Sequence, residues 1–556
     1  MKKVGAFLIT LIFLSSLPLG TTQAQEPQVV VEVNPNLELF SVIYILAFNG
    51  SDPFIVAPQD YIQDVLTYFA PYKEHEAVKY IREVLDESLP YYSRDSAMMD
   101  LGGRLALLDY LPNETNLGDL KPLAEFANES NFMKFYKAHR EDYLEYTSSI
   151  APYLENVPEL HRKFFGFTHH EYCVELSYSV RIHDHVRVRG ETVYCIGYAL
   201  PSKYSKYKEP MFQQVTTIFH EFTHPPVEDF LGENFKFFEN KSYYLDEVRN
   251  QMPVTTSYDY DHFGSFSMYL DEILTESLAE YFALKSGVPE DFVEFRSLQM
   301  STVLYPIQDF LGEYEHFEET RKENETLFDY APIMAEHMGK WATPENISEY
   351  FKMRTPITGG WAADRIKYMG KVIIVYGTQN PDKSGTEYDR ETAEEYKRDL
   401  EKFFILYHGS DPEIIVKADV NLTENDLKEN LILIGGPVAN KITRELNDKL
   451  PITFVRDENG WSLKRNPGAV KDFHAFLVAN GDIMKIPLDS TIPYDGSIGA
   501  LQTIRNPWNE KNFIIVLAGL TRYGTRNILR NPGFGASYII FGNNYTELGF
   551  YKQYTR

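Results

Sequence analysis

The chain changes its hydrophobic rhythm twice. Apolar residues recur every three or four positions in NPNLELFSVIYILA (residues 34–47), in residues 60–87 and in residues 132–157, which predicts helices. Residues 170–200 switch to alternation, and EYCVELSYSVRIHDHVRVRGETVYCIGYA reads as a β-hairpin. The helical period returns from residue 209 to about 350, through MFQQVTTIFHEFTH, SFSMYLDEILTESLAEYFALKSG and FVEFRSLQMSTVLYPIQDFLGEYEHF. A glycine-rich break follows in TPITGGWAADRIKYMG (residues 355–370). Beyond it, the apolar runs KVIIVYGT, EIIVKADV, NLILIGGP, ITFVRD, NFIIVLAGL and YIIFGNN are interspersed with helical stretches. Such strands predict an α/β unit with a mostly parallel, doubly wound sheet. The boundary is placed near residue 362, giving a largely helical unit over 25–361 and an α/β unit over 362–556. A chain of 556 residues is too long for one core, which agrees with two or three domains.

Residues 216–230 of the first unit read TTIFHEFTHPPVEDF and contain His220-Glu221-Phe222-Thr223-His224. With 14 His in 556 residues, a shuffled chain yields roughly 0.03 H-E-x-x-H matches. Val215, Ile218, Phe219 and Phe222 form an apolar face, so residues 209–224 predict a helix that ends at Pro225-Pro226, because proline cannot donate to the helical ladder. Histidines four apart share a helix face and can take one metal ion. Glu221 points about 100° away, where it can act as a base on water in the ion's open coordination position.

Two histidines need a third ligand. The helix expected over 266–286 carries Glu272, Glu276 and Glu280 at four-residue intervals. Glu276 is the favoured ligand, because Ala279 and Ala283 beside it permit close approach of another helix. Glu272 and Glu280 are alternatives, followed by His262 and Asp271, and a solvated acidic stripe is the bland reading. Glu280 is expected to accept a hydrogen bond from a ligand histidine. Tyr258, Tyr260 and His262 are candidate oxyanion donors.

HEFTH followed by T-E-S-L-A-E resembles the gluzincin class of zinc metallopeptidases. Residues 33–350 also resemble an uncharacterised family of secreted metallopeptidase-like proteins, whose helical start is matched by LELFSVIYILA. The resemblance implies a zincin-like α+β fold, Zn2+ on His220, His224 and Glu276, Glu221 as base, and a protein or peptide substrate. Thr275 stands where that class often has an Asn that contacts substrate, which bears on specificity.

Charge and the chain's start change the setting. A net charge of −26 argues against nucleic acid as a partner. Residues 1–24, MKKVGAFLITLIFLSSLPLGTTQA, read as a secretory signal, with an uncleaved anchor as the alternative. No later stretch is apolar enough to span a bilayer. Eight glycosylation sequons begin at Asn49, Asn113, Asn128, Asn240, Asn324, Asn346, Asn421 and Asn544, which again suits export. Cys173 and Cys195 are the two cysteines, expected as a disulfide across the hairpin or as two buried thiols.

Three further motifs are weaker. His183-Asp184-His185 puts two rings on one strand face, a metal pair or, more often, exposed residues. His169-His170 alternate faces. The hairpin, lying before the HEFTH helix, could add an extended peptide as a strand. IGGPVANKI resembles segments of archaeal surface-layer proteins, and a structural or attachment role is preferred to an anion-binding turn. The sequence thus predicts an exported zinc metallopeptidase with an appended α/β unit, with cell-surface association through that unit. Its rivals are a non-catalytic, partner-binding surface protein and a zinc hydrolase of a non-peptide amide.

Overall fold

The structure is a computed structural model. It describes residues 26–86, 89, 91–199, 211–251, 265–353, 355–458, 460–479, 482–529 and 535–552. The expected signal and the candidate donors Tyr258, Tyr260 and His262 lie outside the described residues.

The N-terminal unit is helical around a small sheet. Helix Pro35–Ala47 is buried on every side but its first residue, which is how an apolar stretch without a polar stripe behaves. Its polar residues are all answered: Glu38 accepts from Tyr61 Oη at 2.6 Å and from the Tyr178 amide at 2.8 Å, and Asn34 caps the N-terminus. Among the described residues the sheet has four strands, β1 (Gln28–Val33), β2 (Glu171–Ser177), β3 (His185–Arg189) and β4 (Thr192–Tyr198), in the order β1-β2-β4-β3. β1, β2 and β4 are parallel, and only β3 and β4 form a hairpin.

This topology corrects the expected disulfide. Cys173 and Cys195 sit on neighbouring strands, but Cys173 is level with Tyr194, and Cys195 with Val174. A one-residue offset sends the two side chains to opposite sheet faces, and both thiols are free and buried.

The second unit carries strands β5 (Lys371–Tyr376), β6 (Glu413–Ala418), β7 (Leu431–Ile434), β8 (Ile452–Asp457), β9 (Gly460–Arg465), β10 (Lys471–Ala479), β11 (Asp482–Lys485), β12 (Gly499–Asn506), β13 (Asn509–Gly519), β14 (Tyr538–Gly542) and β15 (Tyr545–Lys552). Nine of them form one sheet in the order β11-β10-β15-β14-β12-β13-β7-β5-β6. Only β13, β7, β5 and β6 run parallel, so the sheet is mixed rather than mostly parallel and doubly wound. The turns that join β12 to β13 and β14 to β15 are too short for a crossover, which needs a dozen or more residues. β8, containing ITFVRD, lies outside this sheet in a ribbon with β9.

Residue 362, the expected boundary, falls inside helix Gly359–Met369. The connection into that helix is itself core: Ile357 and Trp361 are each 2 % exposed. The Ile357 amide donates to the Tyr551 carbonyl, the Gly359 amide to the Ala536 carbonyl, and Trp361 Nε1 to the Thr302 carbonyl. One apolar cluster runs from the N-terminal helices onto Val372, Ile374, Phe476, Phe513 and Phe550 of the large sheet. A second covers the opposite face through Ile373, Val375, Ile514 and Val516.

Candidate metal centre

HEFTH lies in helix Met211–Phe238, which continues well past the expected stop. Pro225 and Pro226 sit inside it, and Val227, Phe230 and Leu231 beyond them are buried. Packing of that apolar stripe overrides the local cost of two prolines, about 3 kcal/mol each in a helix interior. The facing helix is Phe266–Lys285, capped by the Ser265 hydroxyl. His220 meets Glu276 while His224 meets Asp271, so the two helices run in opposite directions at the site.

The histidines use their two nitrogens for different tasks. His220 Nδ1 lies 2.7 Å from Glu276 Oε2. His224 Nδ1 lies 3.3 Å from Asp271 Oδ2 and 3.4 Å from Thr275 Oγ1. A carboxylate accepts the Nδ1 proton of each ring, so each neutral ring carries a bare lone pair on Nε2. Those two Nε2 atoms face each other at 3.0 Å, with the rings perpendicular. Glu272 completes the group, 3.6 Å from His220 Nε2 and 4.0 Å from His224 Nε2. Three acceptors therefore converge on one point.

This arrangement differs from the expected ligand set. The carboxylate gathered with the two Nε2 atoms is Glu272, whereas Glu276 holds the far side of the His220 ring. Four-residue spacing explains the division, since Asp271/Thr275 and Glu272/Glu276 form two adjacent i, i+4 pairs that match the i, i+4 histidines. The signal was present in the sequence as DEILTE. Glu280 is not a hydrogen-bond acceptor for a histidine: it is fully buried, and neither of its oxygens meets a partner among the described residues. Burial, reinforced by the nearby Glu276 charge, pushes its carboxyl well above the ordinary range.

The donor set and spacing fit zinc. Two ligands about 2.05 Å from a tetrahedral ion lie about 3.3 Å apart, within the 3.0–4.0 Å spread of this group. Without an ion, a proton must occupy the same place. Burial opposes charging His220, but Glu276, Glu272 and Glu221 outweigh it and raise its pKa to about 9. His224 is opposed by burial too, yet Asp271 leads the groups that raise it. Glu221 is buried, and burial raises its pKa despite the two histidines, which lower it.

Arg296, in helix Glu290–Met300, was missed by the sequence reading. Its Nε and Nη2 lie 2.7 and 2.6 Å from Glu276 Oε1. Burial works against the Glu276 charge, but the Arg296 guanidinium, then His220, hold this carboxyl below the usual range. A guanidinium flanked by Phe292, Val293, Phe295 and Leu298 in FVEFRSLQM was the available signal.

The other motifs have structural partners. His183 lies 3.3 Å from Asp95, Asp184 accepts from Gln214 Nε2 at 3.0 Å, and His185 Nδ1 bonds the His183 carbonyl, so the three do not converge. His169 and His170 join no metal-type group among the described residues. The turn after β7 is closed by Asn440, which donates to the Val375 and Ile434 carbonyls and caps the next helix. Gly435 there has φ +102°, and any Cβ on Gly377 would strike the Ala439 carbonyl. The turn is a tight tie between β5 and β7.

Comparison with known proteins bears on the second unit. No curated protein matches the chain. The matching family model is that of the S-layer like family, outer domain, over residues 405–530, a span that includes IGGPVANKI. No metallopeptidase family model matches, which overturns the expected kinship with the gluzincins and with the secreted metallopeptidase-like family; the resemblance rested on short motifs, and the similarity that is found lies at the other end of the chain.

Proposed function

We propose that this chain is an extracellular zinc-dependent peptide hydrolase in which His220, His224 and Glu272 hold the ion and Glu221 is the general base. The observation that carries this reading is the convergence of two Nε2 lone pairs 3.0 Å apart with the Glu272 carboxylate, a donor set that suits a shared metal ion. A zinc ion there would activate water in its open position and polarise a substrate carbonyl. Glu276 and Asp271 fix the two rings by taking their Nδ1 protons. Glu221, adjacent in sequence but turned about 100° round the helix, takes a proton from the attacking water and delivers it to the leaving amine. Its burial, which raises its proton affinity, suits a group that must both accept and return a proton.

The S-layer-like match points to an extracellular or cell-surface protein, and attachment through the second unit is part of this proposal. Among the described residues, no helix is long and apolar enough to cross a membrane.

Metal analysis combined with a peptide digest tests the reading. Wild type should hold a single zinc and Glu272→Ala none. Glu221→Gln should keep the zinc and lose about 10²–10⁴-fold in hydrolysis. Equal digestion by wild type and Glu221→Gln would overturn Glu221 as the base, and no digestion by a zinc-loaded wild type would leave a non-catalytic, zinc-holding surface protein. A wild-type chain without zinc would remove the site itself.

A further inference from the structure

We infer that the second unit is part of the metal centre: it holds helix Glu290–Met300 so that Arg296, acting through Glu276, fixes the His220 ring. The inference rests on the zinc reading above and adds a positioning residue and an inter-unit coupling to it.

The chain of contacts is continuous. On the outer side of the helix, Asp291 accepts from the Lys485 amide at 2.9 Å. Glu294 accepts from His474 Nδ1 at 2.8 Å and from Lys485 Nζ at 2.7 and 2.8 Å. Phe295 is wedged between Phe476 and Phe550, each ring centroid 5.4 Å away. His474 and Phe476 belong to β10, Lys485 to β11 and Phe550 to β15, so one end of the large sheet grips this helix. Arg296 lies about 200° round from Glu294 and about 100° from Phe295, and it points into the first unit, where it meets Glu276 Oε1. The other Glu276 oxygen meets His220 Nδ1 at 2.7 Å. Four links thus run from the sheet to a ring whose Nε2 lies in the candidate metal cluster.

The physical consequence is preorganisation. Arg296 holds one carboxylate oxygen through two charge-assisted donors, leaving the second oxygen on the imidazole. A ring fixed in this way spends less freedom on binding an ion, and loss of such outer partners weakens metal affinity about 10–100-fold. The grip on Asp291, Glu294 and Phe295 sets where the Arg296 stem begins.

Zinc affinity of the full-length chain, measured by competition with a chromogenic chelator, tests the inference without relying on activity. Arg296→Met should weaken zinc about 10–100-fold, and Arg296→Lys, which keeps the charge but not the fork, should recover part of that loss. Glu294→Gln, at the inter-unit contact, should weaken zinc several-fold. The visible spectrum of the cobalt-substituted chain should change in Arg296→Met, because the His220 ring is released. Thermal unfolding in chelator confirms that each variant is folded. Wild-type affinity in Arg296→Met and Glu294→Gln, with zinc bound by the wild type, overturns the coupling alone. A wild type that binds no zinc overturns the metal reading and this inference with it.

Discussion

Among the described residues, each unit buries one Arg–Glu pair, and the two pairs are finished differently. In the second unit, Glu547 is fully buried and receives Arg465 Nε at 2.7 Å, Arg465 Nη2 at 2.6 Å, Tyr538 Oη at 2.6 Å and Tyr545 Oη at 2.5 Å. The remaining Arg465 donor reaches the Leu488 and Ser490 carbonyls. Every group is answered within the unit, and the network leads nowhere. In the first unit, Arg296 occupies only Oε1 of Glu276, and Oε2 passes the interaction to an imidazole that opens onto three converging acceptors. A buried ion pair costs desolvation in either setting. A closed one is architecture, and one that hands its charge to a titratable ring is the mark of a site.

The comparison is sharpened most by cutting the closed pair. Arg465→Met leaves Glu547 buried without its guanidinium partner, and should cost about 3–5 kcal/mol of stability by thermal or denaturant unfolding, with zinc affinity of the folded chain unchanged. A drop in zinc affinity on that substitution would break the distinction. Next in size, Glu276→Gln should weaken zinc about 10–100-fold, or about 1.4–2.7 kcal/mol. In the metal-free chain the same change should alter the pH dependence of stability. The raised His220 pKa contributes stability that is fully present below about pH 6.5 and lost as pH rises through about 9, and most of that dependence should vanish with Glu276→Gln. The smallest effect is expected at Tyr545→Phe, which removes one of four donors to Glu547 from a half-buried position, at about 1 kcal/mol, and again without change in zinc binding.

The sequence made the HEFTH helix and its antiparallel partner legible because both are long and periodic. It did not separate Glu272 from Glu276, since residues four apart on a helix share a face and only the ring orientations decide which one meets Nδ1 and which Nε2. Arg296 was hidden for a related reason: its partner is 20 residues away on a different helix, and no local pattern links them. The prolines misled through a local rule that packing overrode. In the second unit the apolar strands were found, but their direction was not, because a buried strand looks the same whether parallel or antiparallel. The short turns at 506–509 and 542–545 held that information. The unpaired cysteines follow from a one-residue register offset, which spacing alone does not encode.

The buried connection around Ile357 and Trp361 decides how the molecule can be dismantled. Ordinary domain junctions are exposed, carry few contacts, and are where proteases cut to release a working fragment. Here the joining segment is hydrogen-bonded to Tyr551, Ala536 and Thr302, inside an apolar cluster common to both halves. A cut there would expose the shared core on both products, so proteolytic release of one intact unit from the other is not a route this architecture offers.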